Sequence, residues 1–156
     1  MLNIVVPGMG NLEVKQLVLD LNGTISLDGE MIEGVAERLD RLSRLVDIFV
    51  VTSDTRGNAE RVTRGLRVRL HKIKEGAEDV QKLELVRGTG EGETVSIGNG
   101  SNDVLMLKES LIGICVLGGE GSSVGAVMAA DIIVSDINAA LDLLLKPDRL
   151  VATLRE

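Results

Sequence analysis

An apolar run that stops abruptly at a charge constrains this chain most. In Leu17-Val18-Leu19-Asp20-Leu21-Asn22-Gly23-Thr24, three aliphatic residues lead into an aspartate, and a small flexible turn follows. A continuous run of this kind is the pattern of a parallel strand buried on both faces. The carboxyl ends of such strands are where open α/β sheets bind ligands, so the pattern delivers the Asp20 carboxylate to a ligand site. A second run, Val95-Ser96-Ile97-Gly98, leads into Asn99-Gly100-Ser101-Asn102-Asp103. Two strand ends that carry acid, amide and glycine point to one shared site for a phosphate and a metal.

Strand and helix patterns alternate along the rest of the chain. Ile4-Val5-Val6 reads as a short strand turned by Pro7 to Asn11, pairing antiparallel with Leu12 to Lys15 or with the strand that follows. Ile25 to Met31, with Asp28-Gly29 at its centre, reads as a small hairpin flap. Val35, Leu39, Leu42 and Val46 recur at helical spacing and predict an amphipathic helix of about three turns. Strands are expected at Asp47 to Val51, Val68 to Ile73, Thr94 to Ile97, Ile112 to Leu117 and Asp131 to Val134. Arg69 and Lys72 mark the Val68 strand as one near an edge. Helices are expected at Arg56 to Leu66, Glu78 to Arg87, Asp103 to Lys108 and Ser123 to Ala130. One more runs from an Asp136 or Asn138 cap to Lys146, and Pro147 opens a last one to Leu154. This order predicts an α/β fold, a Rossmann-like three-layer sandwich with a mostly parallel sheet. The 156 residues suffice for a single domain over 1–156 and are too few for two.

Composition excludes several classes of function. A formal charge of −7 argues against non-specific nucleic-acid binding, which needs basic patches. His71 is the only histidine, which leaves no histidine triad or zinc cluster. Cys115, the only cysteine, lies in the apolar run Ile112 to Val116 and reads as a buried thiol. One cysteine forms no internal disulfide, so a reducing cytoplasm is the expected location. No apolar run approaches the ~20 residues of a membrane helix, and the N-terminus lacks the basic region of a signal peptide.

The motifs resemble those of the haloacid dehalogenase superfamily of phosphotransferases. Asp20-Leu21-Asn22-Gly23-Thr24 resembles its first motif, Asp-x-Asp-Gly-Thr, and Val50-Val51-Thr52-Ser53-Asp54 its second. Lys82, on a helical stretch, stands as the third-motif lysine does. Gly98 to Asp103 resembles the fourth motif, Gly-Asp-Gly-x-Asn-Asp. The sharpest likeness is to the phosphorylation domain of P-type ATPases, in which Thr-Gly-Asp precedes a helix as Thr52-Ser53-Asp54 does here. The chain looks like a free-standing soluble protein of that type. The intervals from Asp20 to Thr52 and from Thr52 to Lys82 hold only core elements and the flap, so the resemblance implies a core without a cap domain.

Specific roles follow from the resemblance. Asp20 is the implied nucleophile, able to form an aspartyl-phosphate. Backbone N–H groups at Asn22, Gly23 and Thr24 are expected to cradle the phosphate. Thr52 with Ser53, Lys82 and Asn102 would bind and neutralise it. Lys82 alone would read as an ordinary solvated helix lysine. Mg²⁺ is the implied cofactor, held by Asp20, the carbonyl of Asn22 and Asn99, with Asp103 bound directly or behind them. Asn22 replaces the aspartate that protonates the leaving group and activates water, and an amide exchanges no proton in this way. Asn99 replaces a charged metal ligand by a neutral one.

The leading expectation is a Mg²⁺-dependent, slow phosphomonoester hydrolase acting on a small phosphorylated substrate. The alternative is a non-catalytic phosphate- or nucleotide-binding regulator with a degenerate site. A phosphatase of the octulosonate type is a third idea and stands behind the other two, because those enzymes keep both aspartates and this chain has Asn22 and Asn99 in their place. The apolar residues Met1, Leu2, Ile25, Leu27, Met31 and Ile32 exceed what one small core is expected to take. They therefore predict a homo-oligomer, dimer or tetramer, with the flap near the contact.

Overall fold

The computed structural model describes residues 1–54 and 57–156. The chain begins with an antiparallel hairpin, β1 (Leu2–Val6) and β2 (Gly10–Val14). Then come β3 (Gln16–Asp20), the short flap strands β4 (Ser26–Leu27) and β5 (Glu30–Met31), α1 (Val35–Leu42) and β6 (Asp47–Thr52). The next elements are α2 (Asn58–Thr63), β7 (Arg69–Lys72), α3 (Glu78–Thr89), β8 (Thr94–Gly98) and α4 (Val104–Glu109). The chain closes with β9 (Ile112–Val116), α5 (Val124–Ala129), β10 (Ile132–Val134), α6 (Ile137–Leu145) and α7 (Pro147–Leu154).

Six strands form the central sheet in the order β10-β9-β8-β3-β6-β7, every pair parallel. The α/β reading therefore holds, with β7 at one edge, as its two basic residues predict. Alternation along β3 explains the layers, because successive side chains leave opposite faces of a strand. Leu17 and Leu19 join the large core with Leu39, Leu141, Leu144 and Leu150, beneath α1, α6 and α7. Val18 points the other way and packs with Val51, Val86 and Met106, beneath α3 and α4. Cys115 is buried with Leu107 and Ala126, and burial pushes its thiol above the usual value, as an inert structural cysteine.

Several expectations change in detail. The predicted first helix through Val46 ends at Leu42, yet Val46 stays in the core because its N–H reaches the Leu42 carbonyl through the following turn. The expected start of the next helix at Arg56 lies outside the described residues, and α2 begins at Asn58. Asp136, rather than Asn138, caps α6 by accepting from the Ala139 N–H at 2.8 Å. Between Asp20 and Thr52 the chain forms only the flap, α1 and β6. Among the described residues, the following interval to Lys82 holds α2, β7 and the start of α3.

The ground for expecting an oligomer also changes. Ile25 is completely buried, and Leu2, Met31 and Ile32 are partly buried against the main core. Ile4, Val6, Leu12 and Val14 of the N-terminal hairpin are buried there too. The hairpin lies against α7, and the Glu156 N–H donates to the Pro7 carbonyl at 3.2 Å. These residues fit one core because the hairpin folds back over the sheet instead of extending it. Met1 alone of the six named residues is strongly exposed. No helix among the described residues is long and apolar enough to cross a membrane.

Candidate active site

Parallel pairing brings the ends of β3, β6 and β8 side by side. Asp20 registers with Val51 on β6, and Leu19 registers with Ile97 on β8. The residues following each end therefore meet over one edge of the sheet. A polar cavity of about 200 Å³ lies there, lined by Asp20, Asn22, Thr52, Ser53, Lys82, Asn99, Gly100, Asn102 and Glu120. Asn22 and Ser53 also line a larger, adjoining cavity of about 760 Å³, with Asp28, Gly29, Asp54, Gly57, Asn58 and Arg61.

Lys82 is the centre of the inner site. It is 1% exposed, and its ammonium lies 2.9 Å from Asp20 Oδ1 and 2.8 Å from Asp103 Oδ1. A buried ammonium needs paired charge, and these two carboxylates supply it. Burial by itself would lower the Lys82 pKa, but the two carboxylates outweigh it and hold the group above its usual value. Lys82 is thus a charged member of the site rather than a solvated helix lysine. Burial, then the nearby Asp103 carboxylate, pushes the Asp20 carboxyl up to about 7 against the lowering pull of Lys82 and Thr24.

This shift fixes a sign. A carboxyl whose folded pKa lies above its unfolded value stabilises the fold below the unfolded pKa, and that stability is lost as pH rises through the folded one. Asp20→Asn is therefore expected to stabilise the metal-free protein most at pH 8, less at pH 5, and hardly at all below the ordinary carboxyl value of 3.8. Carbon-13 NMR of the metal-free wild type should show one carboxyl titrating near pH 7 that is missing from the variant. A wild-type spectrum with every aspartate titrating below pH 5 would refute the assignment.

Asp103 is wholly buried and fully engaged. Oδ1 receives Lys82, while Oδ2 accepts the N–H groups of Asn99 and Gly100, each at 2.9 Å. It thus shapes the loop and anchors the lysine, and does not line the cavity as the implied direct metal ligand would. Gly98 is needed beside it, because a Cβ there would stand 2.5 Å from Asp103 Cγ.

The expected phosphate cradle at Gly23 and Thr24 gives way to a closed turn. The Gly23 N–H donates to Ser26 O at 2.8 Å and the Thr24 N–H to Leu21 O at 3.3 Å. Their donors are used locally, because the turn closes on itself to start the flap. The Thr24 side chain is also buried. Its hydroxyl lies 3.3 Å from Asp20 Oδ2 and 3.2 Å from Asn99 Oδ1. Thr52 and Ser53 remain at the cavity wall; Thr52 Oγ1 accepts from the Asp54 N–H at 3.1 Å and keeps its own proton to donate. Asn102 is held by Glu78, its Nδ2 donating to Oε2 at 2.8 Å.

The Thr24 hydroxyl tests whether a cation fits. It carries one proton but faces two oxygens, so either Asp20 Oδ2 or Asn99 Oδ1 receives none from it. Two buried acceptor oxygens on either side of one hydroxyl form an oxygen set suited to a hard cation. Their charge is low, because one of the two is an amide. Among the described residues, no three His, Cys, Asp or Glu side chains form a ready metal cluster.

The wall contains one residue that motif reading missed. Glu120, in the loop between β9 and α5, reaches the cavity from a Gly-rich stretch. The available signal was a lone carboxylate inside Gly118-Gly119-Glu120-Gly121 after a buried strand.

Comparisons with known proteins agree with this architecture. No protein-family model matches the chain. The uncharacterized protein MJ0073 of Methanocaldococcus jannaschii is 43% identical over 93 residues, covering 57% of this chain and 100% of that protein. The uncharacterized protein MJ0072 of the same organism is 49% identical over 39 residues, covering 25% of this chain and 89% of its own length. The 3-deoxy-D-manno-octulosonate 8-phosphate phosphatase of Moraxella catarrhalis, solved with magnesium, phosphate and KDO, matches with a TM-score of 0.71 at 17% identity. It covers 91% of this chain and 94% of that one. The cobalt-bound deoxy-D-mannose-octulosonate 8-phosphate phosphatase of Haemophilus influenzae matches at 0.73 and 13% identity, over 92% and 94% of the two chains. A putative haloacid dehalogenase superfamily (subfamily III A) hydrolase of Legionella pneumophila matches at 0.73 and 15% identity, over 91% and 87%. At these identities the structural likeness is one of fold.

Proposed function

We propose that this chain, which belongs to the family of Methanocaldococcus jannaschii MJ0073 and carries the haloacid dehalogenase fold, is a slow, Mg²⁺-dependent phosphomonoester hydrolase acting through Asp20. The observation that carries the reading is the buried Asp20–Lys82–Asp103 array at the floor of a polar cavity at the strand ends. Phosphoryl transfer needs positioning and charge neutralisation more than any other contribution. Lys82 supplies fixed positive charge beside the Asp20 carboxylate, and Thr52 offers a hydroxyl donor. The inner cavity suits a phosphoryl group, and the adjoining one has room for the remainder of a small substrate. The names of the solved neighbours, phosphatases of small phosphorylated sugars, support the same reading.

In this reading an Asp20 oxygen attacks phosphorus, the bond to the leaving oxygen breaks, and an aspartyl-phosphate forms. Asn22 has no exchangeable carboxyl proton, so the leaving oxygen takes its proton from water. Water then attacks phosphorus, phosphate departs and the Asp20 carboxylate is restored. A divalent cation, held by Asp20 Oδ2, Asn99 Oδ1 and the Asn22 carbonyl, would neutralise phosphate charge when bound. Cys115, buried and unpaired, suits the cytoplasm, where we place the protein.

A screen of phosphomonoesters with Mg²⁺, using Asp20→Asn as the blank, tests the reading. Hydrolysis above the blank is expected, as is a beryllium fluoride adduct on Asp20. Equal rates for both proteins together with no adduct would sink it. One observation favours a second reading, a phosphate-binding regulator: both amides, Asn22 and Asn99, stand where proton transfer and metal charge would otherwise be supplied. Tight phosphate-ester binding without turnover would select that alternative.

A further inference from the structure

The loop from β9 to α5 is tied to Asn99 twice. The Ser123 N–H donates to the Asn99 carbonyl at 2.9 Å, and the Asn99 Nδ2 donates to the Gly121 carbonyl at 3.0 Å. The loop is also turned on itself, with the Gly121 N–H on Gly118 O at 3.0 Å and Ser122 Oγ on Val116 O at 2.6 Å. Its glycines lie against the nucleophile turn and the flap. A Cβ on Gly118 would stand 3.4 Å from the Gly23 carbonyl, and one on Gly119 2.8 Å from Leu27.

This arrangement places Glu120 directly over Gly23. A Cβ on Gly23 would overlap the Glu120 carboxylate and stand 3.0 Å from Asn99 Nδ2, so the acid and the amide approach one point. Gly23, at φ +76, is left-handed and bare, which leaves room for that carboxylate. Glu120 shares the inner cavity with Asp20, Asn22, Asn99 and Lys82. An aspartate at position 99 has no N–H, and its oxygen would face the Gly121 carbonyl with like partial charge. The amide therefore does something that the usual acid does not: it latches the loop that carries Glu120.

We propose that Glu120 supplies the carboxylate that Asn99 lacks, completing a divalent-cation site with Asp20 and Asn99, and that the Asn99 amide is the positioning group that brings it there. The negative charge removed from the end of β8 returns from the neighbouring loop. Divalent-cation affinity follows the number of charged oxygen ligands, so the relocation matters for binding. The inference rests on the cation site of the reading above and is independent of turnover.

Direct Mn²⁺ binding to the full chain, read by electron paramagnetic resonance, tests it. Glu120→Gln is expected to weaken Mn²⁺ binding about 10-fold or more, with an unchanged melting temperature because Glu120 is exposed. Adding Asn99→Asp to Glu120→Gln is expected to recover most of the lost affinity, since the charge returns to the strand end. Wild-type affinity in Glu120→Gln would overturn the inference and leave the hydrolase reading intact. No Mn²⁺ binding by the wild type would overturn both. Weakened binding in Glu120→Gln without an Asp20 adduct in any variant would support the inference and remove the hydrolase.

Discussion

Asn22→Asp is expected to raise the rate of phosphomonoester hydrolysis by roughly 10²–10⁴-fold, the usual worth of positioned acid–base help. Asn22 is exposed and lines both the inner cavity and the larger one beside it. A carboxyl there would stand between the phosphoryl group and the leaving group, where a proton must be given and later taken. The exchange is close to isosteric and touches an exposed side chain, so the fold should tolerate it. The comparison to make is steady-state turnover of one ester by the wild type, the variant and Asn22→Asp combined with Asp20→Asn. The combined variant should be inactive if the gain runs through Asp20. An unchanged rate in Asn22→Asp would show that hydrolysis is not limited by the missing proton donor, and the binding reading would then take precedence.

Lys82→Met should be the most damaging single change in the site, for stability and activity together. It leaves Asp20 and Asp103 facing a void left by their shared cation, both buried and both close to the vacated position. Removing one partner of a buried charge array costs about 3–5 kcal/mol, or on the order of 10 °C in Tm for a chain of this size. The loss should depend on pH in a defined direction. Without Lys82 the Asp20 carboxyl rises above its already elevated value, so it is neutral at pH 5 and charged only at higher pH. A group shifted upward loses its stabilising contribution as pH rises. The variant should therefore fall furthest below the wild type at pH 8 and recover at pH 5. Denaturant titrations at the two pH values decide it. An equal loss at both would mean that packing of the lysine stem, not charge, is what the site requires.

The frame of this protein was legible in its sequence because it rests on local patterns. The runs ending at Asp20, Thr52 and Gly98 are continuous in the chain, and a buried parallel strand has no other simple pattern. Their order, with helices between, brings three strand ends to one edge of the sheet. Other features depend on partners far apart in sequence. The fate of Lys82 is one. Val80 on the same helix is exposed and Val86 is buried, so no clear apolar stripe tells which side of α3 faces inward. Only the packing of α3 places Lys82 between carboxylates 62 and 21 residues away.

The turn after Asp20 is the opposite case, local but undecided by pattern. The Gly23 and Thr24 N–H groups had two possible partners, a phosphate or the turn's own carbonyls, and the flap's closure chose the carbonyls. The apolar residues of the N-terminal hairpin and flap suggested an open surface, because a sequence shows their number and not the area available to bury them. The fold supplies that area by laying the hairpin over α7 and the sheet. Sequence alone determined which carboxylate ends the central strand and which two amides, Asn22 and Asn99, follow the strand ends. Tertiary structure decided which lysine neutralises that carboxylate and which distant glutamate approaches the amide. Both depend on where non-adjacent elements dock, and backbone pattern does not encode the direction of one buried side chain toward another.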